Sequence, residues 1–368
     1  MRVENIIIRN FRNIEILNQE IFPGLNIFIG ENAQGKTNIL EALYLLASGT
    51  SFRTNIDFQL LKFDESAFYI KARYSYNDRA INAELKYDLK RKKNVFINSK
   101  RTGQSNIDRL RVVLFTPDDL YLIKGSPSKR RNFIDFSLKQ ISQEYRYLIE
   151  NYSKIIKKRN LLLKKEQTNT KSFKLVEEIF IETSARIILD RINLVNILDE
   201  TTNAIFKEIN YSPSKLKIRY ALSFPVDSGK INLDILKNCL FKHIKNNSDN
   251  EKTRKKSLVG PHLDDINIYQ DEKLARQYAS QGQQRTIAVS LKLAEIIAFK
   301  KIKNYYPVFL LDEVLAELDE SKKIKLLNYL LGADFQSFLT AVKIPGIDTT
   351  NAARFLVENG CLKRKEQT

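Results

Sequence analysis

Eight residues near the start of the chain, Gly30-Glu31-Asn32-Ala33-Gln34-Gly35-Lys36-Thr37, fit the pattern G-x-x-x-x-G-K-[ST], whose amides and lysine cradle a nucleotide's phosphates. Gly30 and Gly35 let the backbone turn tightly so that consecutive amides face one way, and a helix opening near Lys36 adds its positive end. Lys36 is then placed to reach the β- and γ-phosphates, and Thr37 to set its hydroxyl on Mg²⁺. Far along the chain, Pro307-Val308-Phe309-Leu310-Leu311-Asp312-Glu313 is an apolar run closing on two carboxylates. A buried parallel strand reads this way, and its carboxyl end is where an α/β sheet holds ligands. On this reading Asp312 orients the metal's water shell, and Glu313 takes a proton from the attacking water or holds it in line. The cofactors implied are ATP and Mg²⁺.

These groups need elements to hold them. Leu25-Asn26-Ile27-Phe28-Ile29 reads as a strand running into the glycine loop, and Ile39 to Leu46 as a buried helix ending near Ser48-Gly49. Alternation over Phe68–Tyr76 and Ile81–Tyr87 predicts a hairpin, joined by a short strand at Val95–Ile97. Two amphipathic helices follow, one carrying Tyr145, Leu148, Ile149, Tyr152, Ile155 and Ile156, the other Val176 to Leu198, joined by a polar stretch from Lys164 to Lys174. Their stripes are too short for a long coiled coil and are expected to pack on each other. A charged link, Asn246 to Lys256, leads back to patterning like that of the first segment.

The chain has 368 residues, 43% of them hydrophobic, enough for two or three lobes. Cys239 and Cys361 form no disulfide framework and match no metal-ligand spacing. The start lacks a signal peptide's apolar region, and no stretch approaches the roughly 18 to 20 apolar residues of a membrane span. A soluble cytoplasmic protein is expected. Net charge is +18, and residues 121–260 carry 28 Lys and Arg against 15 Asp and Glu. Such clustering is an electrostatic footprint for a polyanion, although lysines on helices also serve as plain solvated faces.

Ser280-Gln281-Gly282-Gln283 resembles the signature loop with which ABC-type ATPases grip a nucleotide held by a second subunit, and Ala316-Glu317-Leu318-Asp319 resembles the D-loop of such dimers. Ser280 is equally well placed to cap the helix carrying Ile287, Leu291 and Ala294. The flanking sequence decides between the two. Tyr278 to Thr286 with Leu291-Lys292-Leu293-Ala294-Glu295, Asn10-Phe11-Arg12-Asn13, Gly30 to Leu46, Phe115 to Leu120, Gly125-Ser126-Pro127 with Arg130-Arg131, Gly260-Pro261-His262 and Leu311 to Asp319 together closely resemble the RecF family, in the family's order and over nearly the whole chain.

The resemblance implies an α/β fold: an ABC-type P-loop ATPase head, related to Rad50 and SMC heads, split in sequence by an inserted mainly helical lobe. The expected divisions are residues 1–120 and 256–368 for the head and 121–255 for the basic lobe. It also implies a weak, DNA-stimulated ATPase that forms a homodimer on ATP, binds single- and double-stranded DNA and gap junctions, and works with RecO and RecR to help load RecA. By position, Arg12 and Asn32 would join Lys36 and Thr37 around the nucleotide, while Ser280, Gly282 and Gln283 would act in trans. Two departures stand out: Leu263 replaces a basic residue after Gly260-Pro261-His262, and Phe338-Leu339-Thr340-Ala341 offers no switch histidine. A structural SMC-type head would need a far longer insertion, and a transporter subunit would need no basic lobe. Lys157, Lys158 and Arg159 on one helix, with Lys129, Arg130 and Arg131 upstream, are the candidate DNA contacts. Arg130 and Arg131 could instead brace the fold.

Overall fold

A computed structural model describes residues 1–364 except 91, 104–105, 211–212, 227–228 and 230, and gives Glu317 by its backbone alone. The chain opens with β1 (Arg2–Phe11), β2 (Ile14–Glu20), β3 (Leu25–Ile29) and α1 (Lys36–Ser48), then β4 (Ala67–Tyr76), β5 (Arg79–Asp88), β6 (Lys92–Ile97), β7 (Lys100–Arg101) and β8 (Val112–Phe115). Helices α2 (Tyr121–Lys124), α3 (Pro127–Ile141), α4 (Gln143–Lys164) and α5 (Lys171–Ile209) follow. After them come β9 (Leu216–Ala221), α6 (Leu233–Asn246), α7 (Ser248–Arg254), β10 (Asp265–Gln270), β11 (Lys273–Leu274) and α8 (Ala275–Tyr278). The chain closes with α9 (Gln281–Lys303), β12 (Val308–Leu311), α10 (Glu320–Leu331), β13 (Ser337–Ala341), β14 (Ala352–Glu358) and β15 (Cys361–Arg364).

Two compact units result. The first comprises Met1–Leu120, Ile205–Ser212 and Ser280–Thr368. Its central sheet has the order β15-β14-β3-β13-β12-β8, parallel except for β15 at one edge. All four residues of β12 are buried, as are the first four of β3, which explains why both strands read as unbroken apolar runs. Phe28 stacks between Phe338 and Phe355 of its two neighbours, with ring centroids 6.2 and 5.3 Å apart. Strands from both ends of the chain thus alternate in one sheet, which joins the halves of the split head. A second, antiparallel sheet, β2-β1-β4-β5-β6-β7, buries Ile6, Ile8, Ile70, Ala72, Ile81 and Leu85 on one face, and α1 shares that core.

The second unit comprises Tyr121–Ala204 and Pro213–Ala279. The chain therefore leaves the second unit for good at Ser280, and the boundary expected at 255/256 lies 24 residues too early. Pairing explains the shift: β10 joins β9 antiparallel, with Asp265 opposite Ala221 and Gln270 opposite Leu216. Arg191 binds Asp135 through two bonds of 2.9 Å and the Pro261 carbonyl at 2.6 Å. These contacts hold the Gly260-Pro261-His262 stretch to the helices. The amphipathic helices meet as their stripes require, with Tyr152 stacked on Phe180 and Leu163, Phe173 and Val176 in one cluster. The charged link 246–256 is itself mostly helix, α7. Among the described residues no helix is long and apolar enough to cross a membrane.

Candidate nucleotide site

The phosphate loop lies between the carboxyl end of β3 and the first turn of α1. Gly35 has φ +110°, a conformation open to glycine, and a Cβ on Gly30 would come within 2.4 Å of the Val357 carbonyl. Ala33 is also left-handed, at φ 65°. None of the amides of residues 31–37 donates to a protein acceptor among the described residues. Such a concave run of donors at a helix start is suited to an anion. Lys36 is 3% exposed, and its Nζ donates to the carbonyls of Gly30 and Glu31 at 2.9 and 2.8 Å, so the ammonium is held inside the loop's curve.

Parallel pairing brings the ends of β3, β13 and β12 side by side, and three hydroxyl and carboxyl groups converge there. Thr37 Oγ1 donates to Asp312 Oδ1 at 2.8 Å, and Thr340 Oγ1 donates to the same oxygen at 2.8 Å. Burial pushes the Asp312 carboxyl above its ordinary range, against the pull of those two hydroxyls. A buried carboxylate joined to a hydroxyl is a hard-oxygen pair suited to Mg²⁺, which keeps most of its waters and takes one or two protein ligands. The residues present therefore fit the metal that the motif implies. Glu313 follows with a left-handed backbone, φ 50°, and its amide donates to Thr340 Oγ1 at 2.9 Å. Thr340 thus grips both acidic residues, within the segment 338–341 that offers no switch histidine.

Several supporting residues carry no sequence signal of their own. Glu41, fully buried on α1, receives Arg12 through Nε and Nη2 at 3.0 and 2.8 Å and Arg53 at 3.3 Å. Arg12, expected beside the nucleotide, is anchored by this carboxylate with 20% of its side chain exposed. The Gln34 side chain accepts from the Asn359 amide at 2.7 Å and its carbonyl from the Gly360 amide at 2.8 Å, which ties the loop to the β14–β15 turn. Asp119 and Lys292, from two separate family-like segments, meet at 3.3 Å, both with little of their side chains exposed. Ser280 caps α9: its hydroxyl accepts from the Gln283 amide at 3.3 Å, and Gln283 Oε1 accepts from the Ser280 amide at 2.7 Å. Gln283 is thus a capping-box partner, a role the trans reading did not include. Gly282, with open space where a Cβ would stand, lies in the first turn.

The expected DNA cluster divides. Lys157 and Lys158 are exposed on α4, and so is Lys129 on α3. Arg159 is fully buried, bonded to Glu251 at 2.7 Å, Glu177 at 2.8 Å and Ser257 at 2.8 Å, over the rings of Phe173 and Phe180. It cannot reach a phosphate. Arg130 is 3% exposed and holds Asp265 through bonds of 2.7 and 2.9 Å, while Arg131 donates to the Asp264 carbonyl at 2.7 Å. Both brace the second unit. Leu263 is 45% exposed, so the missing basic residue is a surface charge and not a buried partner.

Comparison with known proteins agrees with this geometry. The family model described as the RecF/RecN/SMC N terminal domain matches residues 2–355. A DNA replication and repair protein RecF from Bacillus mycoides is 38% identical over 354 residues, covering 95% of this chain and 94% of its own length. The Enterococcus faecalis protein of that name is 35% identical, with both chains fully covered. The recombination mediator protein RecF of the RecFOR pathway, solved with ATP, superposes with a TM-score of 0.85 at 31% identity and 99% coverage of each chain. An SMC head bound to a winged-helix domain of ScpA shares the fold alone, with a TM-score of 0.58 at 15% identity, covering 99% of this chain and 97% of its own. The phosphate loop, the acidic strand end and the split head belong together because this chain is a member of the RecF family, with the ABC-type head fold it shares with SMC proteins.

Proposed function

We propose that this chain is a DNA-binding ATPase of recombinational repair, with a slow hydrolysis stimulated by DNA and an ATP-dependent homodimer as its working state. The observation that carries the reading is the 2.8 Å bond from Thr37 to Asp312, which unites the phosphate loop with the acidic strand end. Mg²⁺ between these residues would neutralise charge on the β- and γ-phosphates. Lys36 would turn from its two carbonyls to those phosphates. Glu313 would orient the attacking water and accept its proton, with its backbone held by Thr340. Ser280 and the first amides of α9 would bind the γ-phosphate carried by a second copy, adding to the cap they already form.

The family's naming as replication and repair proteins, and the RecFOR pathway of the solved relative, support action at gapped or damaged DNA with RecO and RecR to help load RecA. The exposed Lys129, Lys157 and Lys158 are the proposed phosphate contacts of the lobe. Glu313→Gln tests the reading. The amide keeps the shape but cannot take the proton, so ATP binding should persist, turnover should fall by about a hundredfold or more, and an ATP-bound dimer should accumulate on size exclusion. Wild-type turnover in this variant would remove Glu313 from the reaction.

A further inference from the structure

The antiparallel sheet of the first unit has two unlike faces. One is buried with α1, while the other carries an ordered set of aromatic and cationic side chains. Register places Arg9, Tyr69, Lys86 and Asn94 in a row across β1, β4, β5 and β6. The next row on the same face runs Lys71, Glu84, Phe96 and Arg101, through β7. Lys86 rises between the two rings, its Nζ 5.6 Å from the centroid of Tyr69 and 5.2 Å from that of Phe96, with 56% of its side chain exposed. Around them the sheet surface forms an open depression of about 480 Å³.

Charge on this face is one-sided. The two rows hold four cations and one acid, Glu84, which Lys71 and Lys86 share at 3.5 and 3.3 Å. Asp88, at the margin, turns its carboxylate to its own loop and accepts from the Lys90 amide at 2.7 Å. Burial and the neighbouring Glu84 carboxylate push the Tyr69 hydroxyl up to about 12, so the ring stays neutral. Aromatic rings on an open sheet, spaced across strands and flanked by cations, stack unpaired bases while the cations follow the sugar-phosphate chain. A duplex hides its base faces and could use only the cations.

We propose that this sheet face binds single-stranded DNA, with Tyr69 and Phe96 stacking successive bases and Arg9, Lys86 and Arg101 holding the phosphates. The proposal rests on the DNA-binding reading above and adds to it contacts on the first unit's sheet, suited to the unpaired strand of a gap.

Binding of fluorescent oligo-dT and of a duplex of equal length should be measured by anisotropy over a salt series, with ATP binding and thermal melting as fold controls. Tyr69→Thr and Phe96→Thr remove the rings while placing a β-branched residue that favours a strand. Each should weaken oligo-dT binding by about fivefold or more while leaving the duplex within twofold. Lys86→Gln should reduce the single-strand salt slope by about one. Independently of any variant, photocrosslinking of wild-type protein to an iodouracil-substituted strand should label the peptides holding Tyr69 or Phe96. Equal losses for duplex and single strand would mean phosphate contact without stacking and would overturn the proposal. So would crosslinks elsewhere with unchanged affinity in well-folded variants. A wild-type protein that binds neither form would instead overturn the DNA-binding reading on which the proposal stands.

Discussion

Thr37 and Asp312 stand 275 residues apart and share a 2.8 Å hydrogen bond at the end of the central sheet. Thr37 and Asp312 are the residues that would hold Mg²⁺ and its waters, the hydroxyl as a neutral oxygen donor and the carboxylate as the charge. Asp312→Asn keeps the hydrogen-bonding shape but removes the charge that attracts Mg²⁺. ATP affinity measured with Mg²⁺ should fall about tenfold or more, while affinity measured with EDTA present should change little. Equal losses in both conditions would mean that Asp312 acts on folding and not on the metal.

Thr340 is a short, buried hydroxyl that serves Asp312 and the Glu313 amide together. Thr340→Val leaves both groups short of a partner, at roughly 1–3 kcal/mol. Single-turnover hydrolysis should slow about tenfold or more with ATP affinity nearly unchanged, and Thr340→Ser should restore the rate. A valine variant with normal turnover would show that the threonine is only packing.

Arg159 and its neighbours Lys157 and Lys158 form one basic run in sequence but hold two different roles, one buried and two exposed. Arg159→Leu strands Glu251, itself 1% exposed, without its main partner, and loss of one member of a buried pair costs about 3–5 kcal/mol. The melting temperature should fall sharply. Lys157→Ala with Lys158→Ala should leave melting unchanged and lower the salt slope of duplex binding by about two. An unchanged slope would make those lysines ordinary surface.

The sequence held the clue to this division. Tyr145 and Tyr152 mark the buried stripe of α4, and position 159 continues it seven residues on, whereas 157 and 158 fall to the sides. The partner, Glu251, could not be foreseen, since it lies on a helix inside a stretch that reads as a charged link. The phosphate loop and the strand ending at Asp312 were legible because their chemistry is local: fixed glycines, a Lys-Thr pair, an apolar run ending in acids. Thr340 and Glu41 were not, because their roles come from parallel pairing and helix packing that bring distant segments together. The lobe's far boundary was missed for a similar reason, since the strand pattern of Ile266 and Ile268 does not say that β9 is its neighbour.

His262 gives the second unit a pH dependence with a definite sign. Burial pushes its imidazole down to about 4, and its Nδ1 lies 2.6 Å from the Tyr152 hydroxyl. The unfolded chain takes up the proton near pH 6.5 and the folded chain only near 4, so the unfolded state binds more protons in between. Stability from this group is complete above about pH 6.5 and is lost as pH falls toward 4, by up to roughly 3 kcal/mol. His262→Gln should be less stable at pH 7 yet show a flatter urea-denaturation profile across that window. Parallel profiles for the two proteins would assign the acid sensitivity to other groups.

The proposed active site is built from two copies, the phosphate loop of one and Ser280 of the other. Lys36→Met should abolish nucleotide binding, and Ser280→Arg should leave monomer binding intact while blocking the ATP-dependent dimer. Neither variant alone should hydrolyse ATP. Mixed in equal amounts, they can form a pair in which the intact loop of one meets the intact signature of the other. DNA-stimulated ATPase activity should appear in the mixture, at up to about half the wild-type rate, since each mixed pair has one intact site of two. A mixture no more active than its separate components, with both proteins folded, would contradict a site shared between subunits.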